Sequence, residues 1–263
     1  IGAGLSGLTA AAFLAKNGID VSVYEQNSFV GGVASLVSKN GYSWEQGPLL
    51  LGDMLPEEPV YELLKRLGIT LQVWQEDRGI VLPDYDMWHP DEYQGPDWRQ
   101  KRLKSLFPEE KEGIAAYYRF YDDITTLQRI AREKPSVRQK IRLLTAFSKV
   151  KKYKDMNARE LMDSFFKSPK IKALYTGILA DVCVKPNEFT ALGVPMFNIE
   201  TAFDKRIPLC EKGKKIRNGY VYVKGSVNQI GAELAKVIGN NGGKIFTNET
   251  VTKINIGPKG VVG

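Results

Sequence analysis

The spacing of apolar positions changes period repeatedly along the chain, and each change marks an element. Leu8, Ala11, Ala12 and Ala15 recur at helical spacing, Gly18 stops them, and Val21, Val23 and Tyr24 follow as a short β-branched and aromatic strand. Residues 35–37 and 42–44 flank Lys39, Asn40 and Gly41 and predict a hairpin. Val60, Leu63, Leu64 and Leu67 then step along one face of a helix that Gly68 ends. Residues 71–74 and 80–82 read as strands, with Asp77, Arg78 and Gly79 as a turn. From Pro108 the period stays helical for a long way, through Ile114, Tyr117, Tyr121, Ile124 and Ile130, then Val137, Ile141, Leu144, Phe147 and Val150. Asn157 and Glu160 have capping-box spacing, residues 171–184 predict another helix, and 189–203 a helix that Pro195 breaks near Gly193. Strand, helix and strand return at 220–223, 227–238 and 244–246, with 251–256 as a further strand.

Two α/β stretches, 1–69 and 219–263, therefore enclose a mostly helical span, 70–218. The first carries the clearest chemistry. Gly2, Gly4 and Gly7 have the G-x-G-x-x-G spacing directly ahead of a helix, and Glu25 ends the next strand about 20 residues on. Gly2 permits the tight turn, Gly4 lets main chain approach a pyrophosphate, and Gly7 lets the helix pack close on the sheet. The helix start, with Leu5 and Ser6, offers free N–H groups to phosphate. Glu25 is expected to accept from a ribose hydroxyl, which favours FAD or NAD over NADP. Gly31 and Gly32 supply a second turn able to pass close to a phosphate or ribose; an ordinary loop is the alternative. A fingerprint of this kind follows a buried strand, and the chain opens at Ile1, so an internal portion of a longer protein, incomplete at both ends, is expected.

Composition narrows the chemistry further. The chain has 263 residues, 43% of them hydrophobic, enough for one large or two modest cores. Cys183 and Cys210 form no C-x-x-C pair, so a disulfide framework or a zinc site is not expected, and with His89 the only histidine neither is a Ser-His-Asp triad or a His-rich metal cluster. A reducing, cytoplasmic location is the expectation. Net charge is +7, and the cations gather between Arg132 and Lys154. With Val137, Ile141, Leu144, Phe147 and Val150 among them, that segment reads either as a helix lying on an anionic membrane surface or as a solvated cationic face over a packed apolar one. No nucleic-acid module accompanies the charge, so nucleic acid is not an expected partner. Trp88, His89, Tyr93 and Trp98 read either as the lining of a substrate entrance or as an aromatic surface loop.

The order GAGLSGL, Glu25, VGGVAS and GYSWEQGPLLL resembles the opening of FAD-dependent oxidoreductases that include phytoene desaturases, retinol saturases and flavin amine oxidases. Val33 stands where those proteins often carry a basic residue, and Gln46 where an Asp is common. The resemblance implies a Rossmann-like FAD-binding domain made of 1–69 and 219–263, with 70–218 as an inserted helical substrate or lid domain. It also implies that Gly47, Pro48 and Leu49 lie near the isoalloxazine and that Val251 meets the adenine side through its backbone. The stretches GPLLLGDMLPEEPVYELLKRLGI and FPEEKEGI are most similar to the phytoene desaturase and retinol saturase branch. That branch implies hydride transfer at flavin N5 with C–C bonds of a long apolar isoprenoid or polyene as substrate. A flavin amine oxidase with a soluble amine substrate and a dinucleotide-binding module without turnover are the alternatives.

Overall fold

The computed structural model describes residues 1–131, 135–212, 214–258 and 260–261. Backbone contacts divide the chain into two compact units, Ile1–Glu76 with Pro208–Gly263, and Asp77–Ile207. In the opening part of the first unit, helix α1 (Leu5–Lys16) is followed by strand β1 (Ser22–Tyr24) and hairpin strands β2 (Leu36–Lys39) and β3 (Tyr42–Glu45). Asn40 and Gly41, both at positive φ, make the two-residue turn of that hairpin. Helix α2 (Pro59–Leu67) ends on Gly68 in the left-handed conformation, and β4 (Val73–Gln75) closes the segment.

The second unit begins with the hairpin β5 (Ile80–Leu82) and β6 (Tyr85–Met87). Its helices are α3 (Trp98–Leu106), α4 (Lys111–Ala131), α5 (Val137–Val150), α6 (Ala158–Phe165), α7 (Pro169–Thr176) and the short α8 (Val194–Phe197). The chain then returns to the first unit through β7 (Cys210–Glu211), β8 (Lys214–Lys215), β9 (Val221–Val223), α9 (Asn228–Asn240), β10 (Lys244–Phe246), β11 (Ile256–Gly257) and β12 (Gly260–Val261).

In the first unit β1 and β10 pair in parallel, with Val23 opposite Ile245, and α1 packs on α9. The core gathers Leu8, Ala12, Val23, Leu64, Leu234 and Ile238. Four alanines and leucines predicted to face inward from α1 (Leu8, Ala11, Ala12 and Ala15) are all buried, and small side chains there let helix and sheet approach closely. Gly231 does the same on α9: a Cβ would come within 3.1 Å of Gly31 Cα.

Several expectations give way to tertiary pairing. The strands expected on either side of the Asp77–Gly79 turn find partners elsewhere. β4 pairs antiparallel with β9, and β5 with β6. That pairing draws residues up to Glu76 and from Pro208 into the first unit, so its boundaries fall at 76/77 and 207/208 rather than 69/70 and 218/219. Residues 251–255 form no strand; only Ile256–Gly257 does, in a small hairpin with β12, because among the described residues nothing offers 251–255 a backbone ladder. The stretch 88–98, read as a loop, runs into α3, whose apolar content is too low for periodicity to reveal. The helix expected at 171–184 stops at Thr176, continues as a 3-10 turn, and ends where Cys183 turns left-handed. The break expected near Gly193 falls where a 3-10 turn at 191–193 gives way to α8, and Pro195 sits in the first turn of that helix, where a proline lacks only an N–H that would have no partner.

The second unit is built around aromatic rings: Tyr117, Tyr175 and Phe166 interlock with centroid separations of 4.3 to 5.9 Å. Arg99, fully buried, donates from Nη1 to Glu200 Oε1 at 2.7 Å and lies 3.9 Å from the ring centroid of Phe203. The stack supplies attraction from the ring face where water is excluded. Asn157 and Glu160 form the capping box at the start of α6, each side chain accepting from the other's backbone N–H.

Candidate cofactor site

The glycines of the fingerprint adopt the geometry their spacing predicts. Gly2 has φ +88°, and its N–H donates to Tyr24 O at 2.8 Å, tying the turn to β1. A Cβ on Gly7 would collide with the Gly2 carbonyl, so the first turn of α1 closes only over a bare position. Gly4 caps α1 without a side-chain hydrogen bond, and space around a Cβ there is open. The first turn holds no acidic residue, leaving the amide ends of Leu5 and Ser6 and the positive end of the helix free to face an anion.

The second glycine turn lies against the first. Gly31 N–H donates to Ala3 O at 2.7 Å, and Gly4 and Gly31 form a parallel bridge. A Cβ on Gly32 would stand 3.1 Å from Gly4 Cα, and Gly32 itself has φ +61°. Val33 leads on to Gly47: a Cβ there would come within 2.5 Å of Val33 O. Gly47 is thus bare because Val33 packs on it, and Ser35 Oγ donates to Gln46 Oε1 at 3.0 Å beside them. Pro48 and Leu49 follow at the surface.

Glu25 occupies the hub of this arrangement. It is only 6% exposed; Oε2 accepts from Ala3 N–H at 2.7 Å, and Oε1 from Asn27 N–H at 2.9 Å and Asn27 Nδ2 at 2.8 Å. The backbone hydrogen bond from Asn27, followed by that from Ala3, holds its carboxyl below the ordinary 4.5 against the opposing effect of burial. An ionised carboxylate has about four acceptor positions, and Ala3, Asn27 and the backbone of Gln26 already engage it. The carboxylate is therefore a brace for the glycine turn, and a ribose hydroxyl would have to share it with these donors. Glu249 N–H donates to Glu25 O at 2.8 Å, which brings the neighbourhood of exposed Val251 to the same hub.

Sequence reasoning missed Asn27, Ala3 and Gly231. Gly231 had a legible signal, a glycine inside an apolar helix where it costs about 1 kcal/mol relative to alanine. The main-chain donor of Ala3 had none.

The aromatic group at 88–98 is divided. Trp98 is 2% exposed and belongs to the core, while Tyr93 lies 5.7 Å from the Arg206 guanidinium. His89 Nε2 meets Asp77 at 3.2 Å, and its Nδ1 meets Arg206 Nη2 at 2.9 Å. Asp77, His89 and Asp204 bring one ligand atom each within 4.8 Å of one another. Arg206 already pairs with Asp204 at 2.8 Å and Lys205 with Asp77 at 3.3 Å, so the cluster holds its countercharges in protein. Burial alone would raise the Asp204 carboxyl, and the Arg206 hydrogen bond overrides it, leaving it below its ordinary value.

A family model described as flavin containing amine oxidoreductase matches residues 5–262. The chain belongs to this family. Membership implies FAD, and the double glycine cradle at the start of α1 fits a dinucleotide diphosphate. Among curated proteins, a 4,4'-diapophytoene desaturase from Staphylococcus haemolyticus is 26% identical across 98% of this chain and 50% of its own length. A phytoene desaturase from Neurospora crassa is 45% identical over 94 residues, 35% of this chain and 15% of the relative. The chain thus spans at most about half the length of these relatives. Among solved structures, an oxidoreductase from Methanosarcina mazei superposes with a TM-score of 0.61 at 21% identity, covering 100% of this chain and 54% of that one. A putrescine oxidase variant gives 0.55 at 20% identity, covering 99% and 52%. At those identities the structures show a shared flavin amine oxidase-type fold. Among the described residues no helix is long and apolar enough to cross a membrane.

Proposed function

We propose that the chain is part of an FAD-dependent oxidoreductase that desaturates, saturates or isomerises C–C bonds of an apolar isoprenoid or polyene. The observation that carries this reading is the paired glycine cradle braced by Glu25, considered together with the two desaturase relatives. In this reading the unit formed by 1–76 and 208–263 is the Rossmann-like FAD-binding domain, and 77–207 is the substrate domain. Leu5 and Ser6 amides with Gly2, Gly4 and Gly7 hold the diphosphate, while Gly31 and Gly32 close over it. Glu25 accepts from the ribose, Gly47, Pro48 and Leu49 border the isoalloxazine, and Val251 borders the adenine. Bound there, FAD supplies the hydride acceptor or donor. The chain's own contribution is to fix the cofactor through main-chain donors and to keep water from it with apolar walls.

Anaerobic spectroscopy of the full-length protein tests the proposal. A flavin absorbance bleached by a polyene supports it. Bleaching by a diamine instead would favour amine oxidation, a reading supported by the family description and the putrescine oxidase fold relative. A colourless protein that free FAD does not reconstitute would leave a nucleotide-binding module without turnover.

A further inference from the structure

Helix α5 shows its apolar stripe to solvent. Val137, Ile141, Leu144 and Phe147, spaced i, i+4, i+7 and i+10, form one face, and they are 76%, 61%, 71% and 57% exposed. The helix is held to its unit from the other side, through buried Ala146 and through Val150, which the sequence spacing places with the stripe. The two sequence readings of this segment therefore separate: the apolar stripe is not packed beneath a cationic face. Arg132 and Lys134 of the same segment lie outside the described residues.

Charge indicates what covers the stripe. From Val137 to Lys154 the chain carries seven lysines and arginines and no acid. The capping box formed by Ser136 and Gln139 fixes the start of α5, so stripe and cations are presented on a formed helix. At its far end a hollow of about 250 Å³ has Arg119, Lys149 and Lys152 among its walls and Phe120, Tyr153 and Phe165 as apolar lining. Asp123 also lines it and pairs with Lys149 at 3.7 Å, while Lys152 Nζ stands 4.6 Å from the Tyr153 ring centroid. Exposed apolar side chains bordered by cations match the boundary between acyl chains and anionic headgroups, where an amphipathic helix lies in the plane of the surface.

We propose that α5 docks on a bilayer of anionic phospholipid, with Val137, Ile141, Leu144 and Phe147 entering the acyl boundary and the hollow beside Lys152 receiving a headgroup phosphate. The proposal deepens the reading above, since a membrane-dissolved substrate would be met at that surface, but its test does not depend on turnover.

Full-length protein is floated with phosphatidylcholine vesicles containing or lacking about 30% phosphatidylglycerol. Binding at least about tenfold stronger to the anionic vesicles is expected, with release as salt is raised to about 0.5 M. Leu144→Asp with Phe147→Asp lowers vesicle affinity by about tenfold or more. Lys152→Gln lowers it by about fivefold, the effect of one surface cation. Because these side chains are exposed, thermal unfolding and flavin absorbance stay as in the parent. Equal binding to both vesicles, no binding, or indifference to these substitutions would overturn the proposal. So would a dimer in sedimentation that the double aspartate variant dissolves, for then a second copy covers the stripe. A colourless protein that still binds anionic vesicles would sink the flavoenzyme reading and sustain this one.

Discussion

The two units solve the problem of close approach in different ways. In the first, main chain meets main chain: Gly7 lies over the Gly2 carbonyl, Gly32 over Gly4, and Gly231 over Gly31. Glu25, a carboxylate buried beside them, is satisfied by backbone and amide donors. In the second, large side chains meet: Tyr117, Phe166 and Tyr175 interlock, and the buried charge of Arg99 is answered by Glu200 and by the face of Phe203. Arg99 Nε and Nη2 and the Tyr117 hydroxyl have no hydrogen-bond partner among the described residues. The contrast teaches that main chain packs directly on main chain where the glycine turns meet, whereas the helical unit closes around large side chains and leaves some of their buried polar atoms without a hydrogen bond.

The contrast is broken most severely at Arg99. Arg99→Met leaves Glu200 buried without its countercharge and is expected to cost about 3–5 kcal/mol of stability, measured by urea unfolding. Glu200→Leu added to it restores most of the loss, because an apolar pair of similar volume replaces the ions. A restored double variant would establish that the pair serves the fold of its unit; persistent loss would mean that the charge itself is required.

Next in size come two glycines with the same steric predicament in different units. Gly7→Ala places a Cβ against the Gly2 carbonyl, and Gly113→Ala places one against the Phe165 carbonyl. Each is expected to destabilise by about 1–3 kcal/mol. Only Gly7→Ala should also strip flavin absorbance from the purified full-length protein. Equal flavin retention by both variants would erase the distinction between the units.

The smallest effect sharpens the role of Glu25. Its carboxyl is held below the ordinary 4.5 in the folded chain, so its contribution is complete above that value and is lost as pH falls toward the lowered folded value. Glu25→Gln is expected to cost about 1–2 kcal/mol at neutral pH. It should also flatten the pH dependence of the urea midpoint below 4.5. A dependence that survives the substitution would assign the acid sensitivity to another carboxyl.

How much could be read in advance also differs between the units. Gly2, Gly7, Gly18 and Gly68 announced their turns because positive φ or a missing Cβ is a local requirement, written in residue type. The capping box of α6 was legible for the same reason. Helix α3 was not, because WRQKRLKSL places a tryptophan and an arginine in the core where hydrophobic spacing expects neither charge nor irregular gaps. The break at Thr176 and the role of Pro195 likewise depended on what packed around them.

Sequence alone determined the fingerprint turn, the helix behind it and the acid at the end of β1, since each follows from steric and hydrogen-bonding limits of a few neighbouring residues. Tertiary structure alone decided that β4 pairs with β9, that Glu25 braces Ala3, that Arg99 is answered from Glu200 and that the stripe on α5 stays bare. The first three of those outcomes join residues from 22 to 150 positions apart, as from Ala3 to Glu25 or Val73 to Val223, and no local preference specifies which distant partner a buried charge or an open strand edge will find.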